Sequence, residues 1–275
     1  MEAFEISHPK RLGGTVVFGY CDIGAAGIRV LEGLSGASAK TDGAARLRET
    51  GRETLTFSGM GGSVFESLPA FEAVHFDEGI LSRGDQNSQP AVTLLKLNAE
   101  VREDLAASLS ISLVDLLAAH GSSLDRLIIA AAVQPPKRHK LPATAAFIPP
   151  DVVCTFTCGG HRGGGAESSS AEGLPGSLSG LPALPTGARL ADPFLTTLVR
   201  LCELEDLPLT LLARVGYRAT GAAADVDGTD EAINDLGQVL AKAVGLNFSL
   251  AKACGARRSK GWKAAEPAQL VPGYI

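Results

Sequence analysis

The pattern of apolar and polar positions along the first third of the chain predicts short strands and one helix. Residues 14–20 (GTVVFGY) form a β-branched and aromatic run that predicts a buried strand. Residues 23–34 are rich in helix formers, and Asp22 stands where a helix cap is expected. Residues 34–52 are small and polar, which predicts a loop. Short strands are then expected at residues 53–58, 63–67 and 71–76.

The middle of the chain has the pattern of a parallel crossover unit. Residues 91–97 (AVTLLKL) and 126–133 (RLIIAAAV) are nearly continuous apolar runs, typical of strands covered on both faces. Between them, apolar residues recur at helical spacing from Asn98, a candidate cap, to Gly121. Strand, amphipathic helix and strand in this order predict two parallel strands joined by a helix.

The second half of the chain repeats these signals. Strands are predicted at residues 152–158 and 207–215. Asp192 and Pro193 form a capped helix start between them, and a last amphipathic helix opens at Asp230 and closes at Gly245. We therefore predict one three-layer α/β domain over residues 1–250, with a largely parallel central sheet flanked by helices.

Two segments depart from this pattern. Residues 159–180 are rich in glycine and serine and poor in large apolar side chains, which predicts a mobile loop inside the domain. Residues 251–275 are predicted to form a flexible basic tail after an acidic body, because the chain carries a net charge of −5 but gathers cations here. The cations we assign to partner binding are Arg257, Arg258, Lys260 and Lys263.

The amino terminus, the apolar runs and the cysteines indicate where in the cell the protein works. The amino terminus has no apolar signal region, and the longest apolar run, residues 127–133, is too short to span a bilayer. The chain has five cysteines, an odd number at no framework spacing, which predicts reduced thiols. We expect a cytoplasmic protein with no membrane contact, and the nucleus remains open as a second compartment.

Known catalytic and metal motifs fit the chain poorly. Gly19, Gly24 and Gly27 lie between a strand and a helix, but their spacing matches neither nucleotide fingerprint, so a tight structural turn is favoured. Cys154, Cys158 and His161 lack a fourth zinc ligand. The acidic stretch from residue 225 has its glycine at the wrong position for a calcium loop. We therefore predict no catalytic residue, cofactor or metal.

The order of the elements resembles that of the proteasome assembly chaperone family. The resemblance rests on G-Y-x-D-I-G at residues 19–24, on the two apolar strands around a long helix, and on residues 180–217. In the last run, a Leu/Pro loop precedes a helix that bears Cys202, and Leu207 and Pro208 lead into a buried strand. This resemblance implies a nucleoside-phosphorylase-like fold and a binding function rather than catalysis.

The end of the chain, LVPGYI, adds to this resemblance. The first chaperone of the eukaryotic pair ends in hydrophobic-tyrosine-any, a peptide that docks between α subunits of the proteasome core. Tyr274 and Ile275 match the last two positions, whereas Gly273 departs from the apolar position and Val271 is a substitute anchor. The resemblance thus implies as partners proteasome α subunits and a chaperone similar to proteasome assembly chaperone 2, with no nucleic acid.

Three alternatives remain open. The chain could be the second chaperone of the same pair, which has the same fold. It could be an enzyme of the nucleoside phosphorylase type, which would need a polar pocket with convergent ionisable groups beside the turn at residues 19–27. An RNA-associated adaptor would use the basic tail and show steep salt dependence.

Overall fold

The structure is a computed structural model of the 275-residue chain. The residues that it describes are 9, 11–22, 25–36, 47–56, 68–78, 90–99, 101–120, 124–134, 148–159, 178–188, 190–216 and 227–258. Nine strands are assigned within these ranges: β1 (Thr15–Tyr20), β2 (Leu34–Ser35), β3 (Leu47–Thr54), β4 (Phe71–Glu78), β5 (Val92–Leu97), β6 (Arg126–Val133), β7 (Cys154–Cys158), β8 (Leu209–Val215) and β9 (Asn247–Phe248). The α-helices are α1 (Ala26–Gly33), α2 (Ala106–Ala119), α3 (Pro193–Leu204), α4 (Asp227–Val244) and α5 (Leu250–Arg258).

Seven strands form one sheet in the order β3-β4-β5-β1-β6-β8-β7. The central four, β5, β1, β6 and β8, are parallel, whereas β4, β3 and β7 add antiparallel pairs at the two sides. Helices α2 and α3 pack together and share one apolar cluster with one sheet face, and α1, α4 and α5 cover the other face. The predicted three-layer α/β domain with a largely parallel centre is confirmed.

The central strands carry little polar character because both of their faces are covered. Every residue of β5 and β8 is buried, and β1 alternates Val16 and Phe18 toward one cluster with Val17 toward the other. Such burial contributes about 1.5–3 kcal/mol for each large apolar side chain. The sheet centre is therefore the most strongly stabilised part of the fold.

Local predictions differ from the structure at the starts of α2 and α4. Asn98 does not cap α2, which begins at Ala106 after a 3-10 turn at Glu103–Leu105; its side chain donates instead to the Leu68 carbonyl, 3.1 Å away. Helix α4 begins at Asp227, so Asp230 lies inside it. In contrast, the Asp192 cap is confirmed, because its Oδ1 accepts from the Leu195 N–H at 3.0 Å.

The predicted loop at residues 34–52 is wrong over its last part. Residues 47–52 belong to β3, an edge strand with a burial pattern that exposes most of its polar side chains. A strand with so few apolar positions has no alternating apolar signal, which is why the sequence pattern missed it. The predicted strand at residues 63–67 lies outside the described residues. Most of the predicted mobile loop at residues 159–180 does too, although Leu178 near its end is fully buried.

Candidate functional site

The predicted partner-binding residues fall at the edge of the described chain. Val271, Gly273, Tyr274, Ile275, Lys260 and Lys263 lie outside the described residues. Arg257 and Arg258 form the end of α5, where only the backbone is described. The described residues therefore show how the carboxyl-terminal segment is attached to the domain through α5.

The first part of the predicted flexible tail is helical. Residues 251–258 belong to α5, which packs against α1 and buries Ala253 completely. Ser249 stands at the start of this helix, where its carbonyl accepts from the Lys252 N–H at 3.1 Å. The tail boundary predicted at residue 250 consequently falls inside a packed helix. The sequence pattern missed it because this helix presents only a weak apolar stripe.

Arg29 fixes α5 to the rest of the domain. Its side chain, 3% exposed, pairs with Asp230 of α4 at 2.5 Å. The same guanidinium lies 3.4 Å from the Ala253 carbonyl and 3.4 Å from the Cys254 sulfur, both in α5. A buried guanidinium is tolerated only when its donors are satisfied, so the residue holds α1, α4 and α5 in one arrangement. Arg29 and its partners Asp230, Ala253 and Cys254 are called the clamp.

Phe248, with Gly33 and Gly237 beneath its ring, forms a second attachment of α5, called the aromatic lock. Its strand, β9, pairs antiparallel with β2, which matches Phe248 with Leu34. The ring rests on two helices at positions that have no side chain, because a Cβ on Gly33 of α1 or Gly237 of α4 would overlap it. The chain therefore enters α5 from a point that is fixed to two helices and to the short β2–β9 ribbon.

The turn after β1 is closely packed where the structure describes it. A Cβ on Gly19 would lie 2.6 Å from the Gly27 carbonyl oxygen, and one on Gly27 would lie 2.9 Å from the carbonyl oxygens of Tyr20 and Ala130. Ala25 and Ala26 are both buried. The glycines thus let strand and helix approach closely, as the tight-turn interpretation predicted. Ile23 and Gly24 lie outside the described residues.

Asp22 occupies the amino-terminal end of α1, where a phosphate would bind in a nucleotide site. Its Oδ1 accepts from the Gly27 N–H at 2.9 Å, and its Oδ2 accepts from the Ala132 N–H at 2.5 Å. Burial raises the pKa of Asp22 to about 8, while the hydrogen bonds from Gly27 and Ala132 act in the opposite direction. The N-cap position of α1 is therefore Ala25 and not Asp22 as predicted, but the Asp22 carboxylate accepts from the first turn of the helix and joins it to β6.

Tyr20 and Asp192 form a second polar contact close to Asp22. The Tyr20 hydroxyl donates to Asp192 Oδ2 at 2.6 Å, and its ring lies edge-on to Phe194 with centroids 5.0 Å apart. Burial, followed by the charge of Asp192, raises the pKa of Tyr20 well above its usual range. Ionisable groups do converge beside the turn, but they bind each other and the backbone. This arrangement counts against a phosphate site at the turn.

Other classes of site find little support among the described residues. Within those residues, no cluster of three or more histidine, cysteine or acidic side chains could hold a metal. None of the described helices is both long and apolar enough to cross a membrane. Among the described residues, the exposed large apolar side chains are Ile111, Val152, Leu204 and Leu250.

Sequence reasoning missed the residues of the clamp and the lock. Arg29 was not singled out, although a cation inside the apolar run IRVL is a recognisable signal of a buried pair. Gly237 within an otherwise amphipathic helix is the corresponding signal for close packing. Neither signal names its partner, because Asp230 and Phe248 are distant in sequence.

Comparison with known proteins finds solved structures of similar fold but no similar sequence. No family model matches the chain, and no curated protein sequence matches it. The fold is similar to that of Pyrococcus furiosus PbaA, an archaeal homolog of proteasome-assembly chaperone, with a TM-score of 0.53 and 13% identity over 92% of this chain and 91% of PbaA. It is also similar to P. furiosus PbaB, an archaeal proteasome activator, with a TM-score of 0.50 and 10% identity over 93% of this chain and 94% of PbaB.

A weaker similarity is to a nucleoside phosphorylase. Purine nucleoside phosphorylase from Toxoplasma gondii has a TM-score of 0.42 and 11% identity, with 86% of this chain and 91% of the enzyme covered. That similarity is too low to support an argument about function. The chain therefore has an α/β fold similar to that of PbaA and PbaB.

Proposed function

We propose that this protein is a chaperone that assists assembly of the 20S proteasome α ring, most similar to proteasome assembly chaperone 1. The observation that carries the proposal is the fold shared with PbaA over 92% of this chain. The element order and the terminal Tyr274 and Ile275 support it independently, since they are read from the sequence alone. The protein acts by binding and performs no reaction.

The packed domain and the carboxyl-terminal segment have separate roles in this mechanism. Arg29 and Phe248 attach α5 to the domain, so the segment starts from a defined position. The 17 residues from 259 to 275 can span at most about 60 Å when fully extended. The domain thus provides a surface for α subunits, while the terminus reaches a pocket between two of them.

Tyr274 and Ile275 supply the principal contacts of this segment in the proposal. A tyrosine ring fills an apolar slot and its hydroxyl forms a hydrogen bond, while a free carboxylate pairs with a lysine or with backbone amides. Val271 supplies the apolar contact that Gly273 lacks. Pro267 and Pro272 restrict the free segment, which lowers the entropy lost on binding.

The basic residues before this terminus act at longer range. Arg257, Arg258, Lys260 and Lys263 attract an acidic ring surface and raise the association rate more than the affinity. We further propose that the protein works in the cytoplasm and the nucleus as a heterodimer with a chaperone similar to proteasome assembly chaperone 2. Tyr274 favours the first chaperone of the pair over the second for this chain.

Affinity capture from extracts of the source cells tests the proposal. The baits are the intact protein, a chain lacking residues 273–275, and the single variants Tyr274→Ala and Tyr274→Phe. The intact bait should recover α subunits and a related α/β chaperone. The truncated chain and Tyr274→Ala should recover fewer α subunits but as much of the chaperone partner, and Tyr274→Phe should lie between, because it keeps the ring and loses the hydroxyl.

Each outcome separates one part of the proposal. Equal recovery of α subunits by all four baits would contradict the role of the terminus and leave the chaperone assignment standing. Failure of the intact bait to recover any proteasome subunit would contradict the assignment itself. Recovery of RNA that disappears at high salt would favour the adaptor alternative. No observation in the described residues favours the phosphorylase alternative, because Asp22 occupies the helix end that would bind phosphate.

A further inference from the structure

The two edges of the central sheet are protected very differently. At one edge, residues 182–184 run beside β7: the Thr155 N–H donates to the Pro182 carbonyl at 2.9 Å, and the Leu184 N–H donates to the Thr155 carbonyl at 2.6 Å. At the other edge, β3 pairs with β4 alone among the strands that the structure describes. An unpaired edge is a template for another strand unless charges or a bulge prevent it.

The charges along β3 are ordered so that two antiparallel copies of the strand place opposite charges face to face. Residues 48–53 read Arg-Glu-Thr-Gly-Arg-Glu. If two such segments run antiparallel about an axis between Thr50 and Gly51, Arg48 faces Glu53 and Glu49 faces Arg52, each twice. A register shift of one residue would place Arg48 opposite Arg52 or Glu49 opposite Glu53, and like charges directly opposite are destabilising. The charges therefore select one register.

The backbone of β3 is compatible with that same register because of its bulge. The Leu55 N–H donates to the Phe71 carbonyl at 3.0 Å, so alternation turns the backbone groups of Glu53 toward β4 and those of Arg52 toward the opposite edge, where no described strand pairs with β3. The pairing shifts between Glu49 and Gly51, which leaves Thr50 as the extra residue. This shift turns Glu49 to the same edge as Arg52, and a regular strand would not.

The side chains follow the same symmetry. Glu49 and Arg52 lie on one face of the sheet, where the Arg52 Nη2 is 3.0 Å from Glu49 Oε2. Arg48 and Glu53 lie on the other face, since they pair with Asp77 and Ala73, which alternate to the same side of β4. Directly opposed residues in antiparallel strands share a face, so both kinds of charge pair can form at once.

We propose that β3 pairs antiparallel with β3 of a second copy of this chain, through residues 48–53, so that the two seven-stranded sheets become one continuous sheet. The pairing stops at residue 48 because Gly36 is close to Leu47: a Cβ on Gly36 would lie 2.7 Å from the Leu47 carbonyl oxygen. A two-fold interface requires a surface that complements itself. The charge order of β3 is complementary to a second β3, so no related partner chain is needed. The pairing is short, so the dimer is weak and forms only at high concentration. It does not depend on the proposed function.

Sedimentation velocity of the purified full chain over a concentration series tests this pairing. The wild type should dimerise, and its dissociation constant should rise with salt, because the charge pairs are exposed. The variant Arg48→Glu/Glu49→Arg keeps the net charge and leaves Arg52 and Glu53 in place. It opposes like charges at all four positions, so the dissociation constant should rise at least about ten-fold.

A complementary variant provides a positive test. Arg52→Glu/Glu53→Arg should also lose self-association, but an equal mixture of the two variants restores every opposite-charge pair and should recover dimers. Arg52 also lies 3.5 Å from Glu72 of its own chain, so unfolding curves must first show that this second variant is folded. If it is not, the first variant and the salt series still decide the matter.

Three results would overturn the proposal. The wild type could stay monomeric up to about 100 μM, a concentration at which even a weak dimer is populated. The Arg48→Glu/Glu49→Arg variant could dimerise as well as the wild type. Alternatively, β3 could pair only with a related chaperone chain, in which case the charge reversal would abolish a heterodimer while the chain alone remains monomeric.

Discussion

Arginine and carboxylate side chains pair in two contrasting regions of this molecule. At the junction of α1, α4 and α5, Arg29 is 3% exposed and holds Asp230 together with two groups of α5. Along β3, Arg52 is 50% exposed and Glu49 is 41% exposed. Buried charges must be paired inside the fold, whereas exposed ones contribute little to stability and remain available to a partner. The same chemistry therefore holds the domain together at one place and offers recognition at the other.

Removing the clamp should produce the largest effect. We expect Arg29→Met to lower the free energy of unfolding by about 3 kcal/mol, because Asp230 and the Ala253 carbonyl lose their buried donor. Urea unfolding measures this. The matched control is Arg200→Met, which breaks an exposed pair with Glu203 and should cost at most about 0.5 kcal/mol. Equal costs for the two variants would contradict the distinction between the regions.

Adding one methyl group at Gly237, under the Phe248 ring, should have the second largest effect on the free energy of unfolding. Gly237→Ala overlaps the Phe248 ring, so we expect a loss of about 1–2 kcal/mol despite the better helix propensity of alanine. Gly255→Ala in α5 meets nothing within 4 Å and should instead stabilise slightly. A double-mutant cycle with Phe248→Leu measures the coupling. Additive effects would show that the ring does not rest on Gly237.

The Asp22→Asn variant should show a pH-dependent loss of stability. Asparagine cannot accept from both the Gly27 and the Ala132 N–H groups, so the variant is less stable than the wild type. Because the folded pKa of Asp22 is raised to about 8, the folded state binds a proton that the unfolded state releases near pH 4. The proton on Asp22 therefore stabilises the folded wild type at low pH, and this contribution to the free energy of unfolding is lost as pH rises from about 4 to about 8. The variant lacks this carboxyl group, so it shows no such loss.

Urea unfolding at pH 5 and pH 8.5 measures that difference. The gap between wild type and Asp22→Asn should be larger at pH 5 and narrower at pH 8.5. A gap that stays constant would mean that the Asp22 carboxyl does not titrate differently in the folded and unfolded states.

Reversing charges on β3 should have the smallest effect on stability. Arg48→Glu/Glu49→Arg should change the free energy of unfolding by less than about 0.5 kcal/mol at concentrations where the protein is monomeric. Urea unfolding of dilute protein checks this. A larger loss would mean that β3 needs these charges for its own folding, and the contrast with Arg29 would then fail.

Much of the architecture is predictable from residue order. The buried strands at β1, β5, β6 and β8 have continuous apolar runs, and Asp192 with Pro193 marks the start of α3. Residues 47–52 of β3 and helix α5 were missed because neither segment has an apolar stripe strong enough to distinguish it from a loop or a tail. Both lie at the margins of the domain, where neighbouring elements supply the stability that the local sequence lacks.

The sequence by itself determined the three-layer α/β plan and the tight turn at Gly19 and Gly27, and it contains the Tyr274 and Ile275 on which the chaperone proposal partly rests. Only the tertiary structure decided that Arg29 meets Asp230, that Phe248 rests on Gly33 and Gly237, and that a bulge turns Glu49 and Arg52 to the sheet edge with which no described strand pairs. The reason is physical: periodicity reports which face of an element is apolar, whereas specific pairing arises between residues brought together by the packing of distant segments.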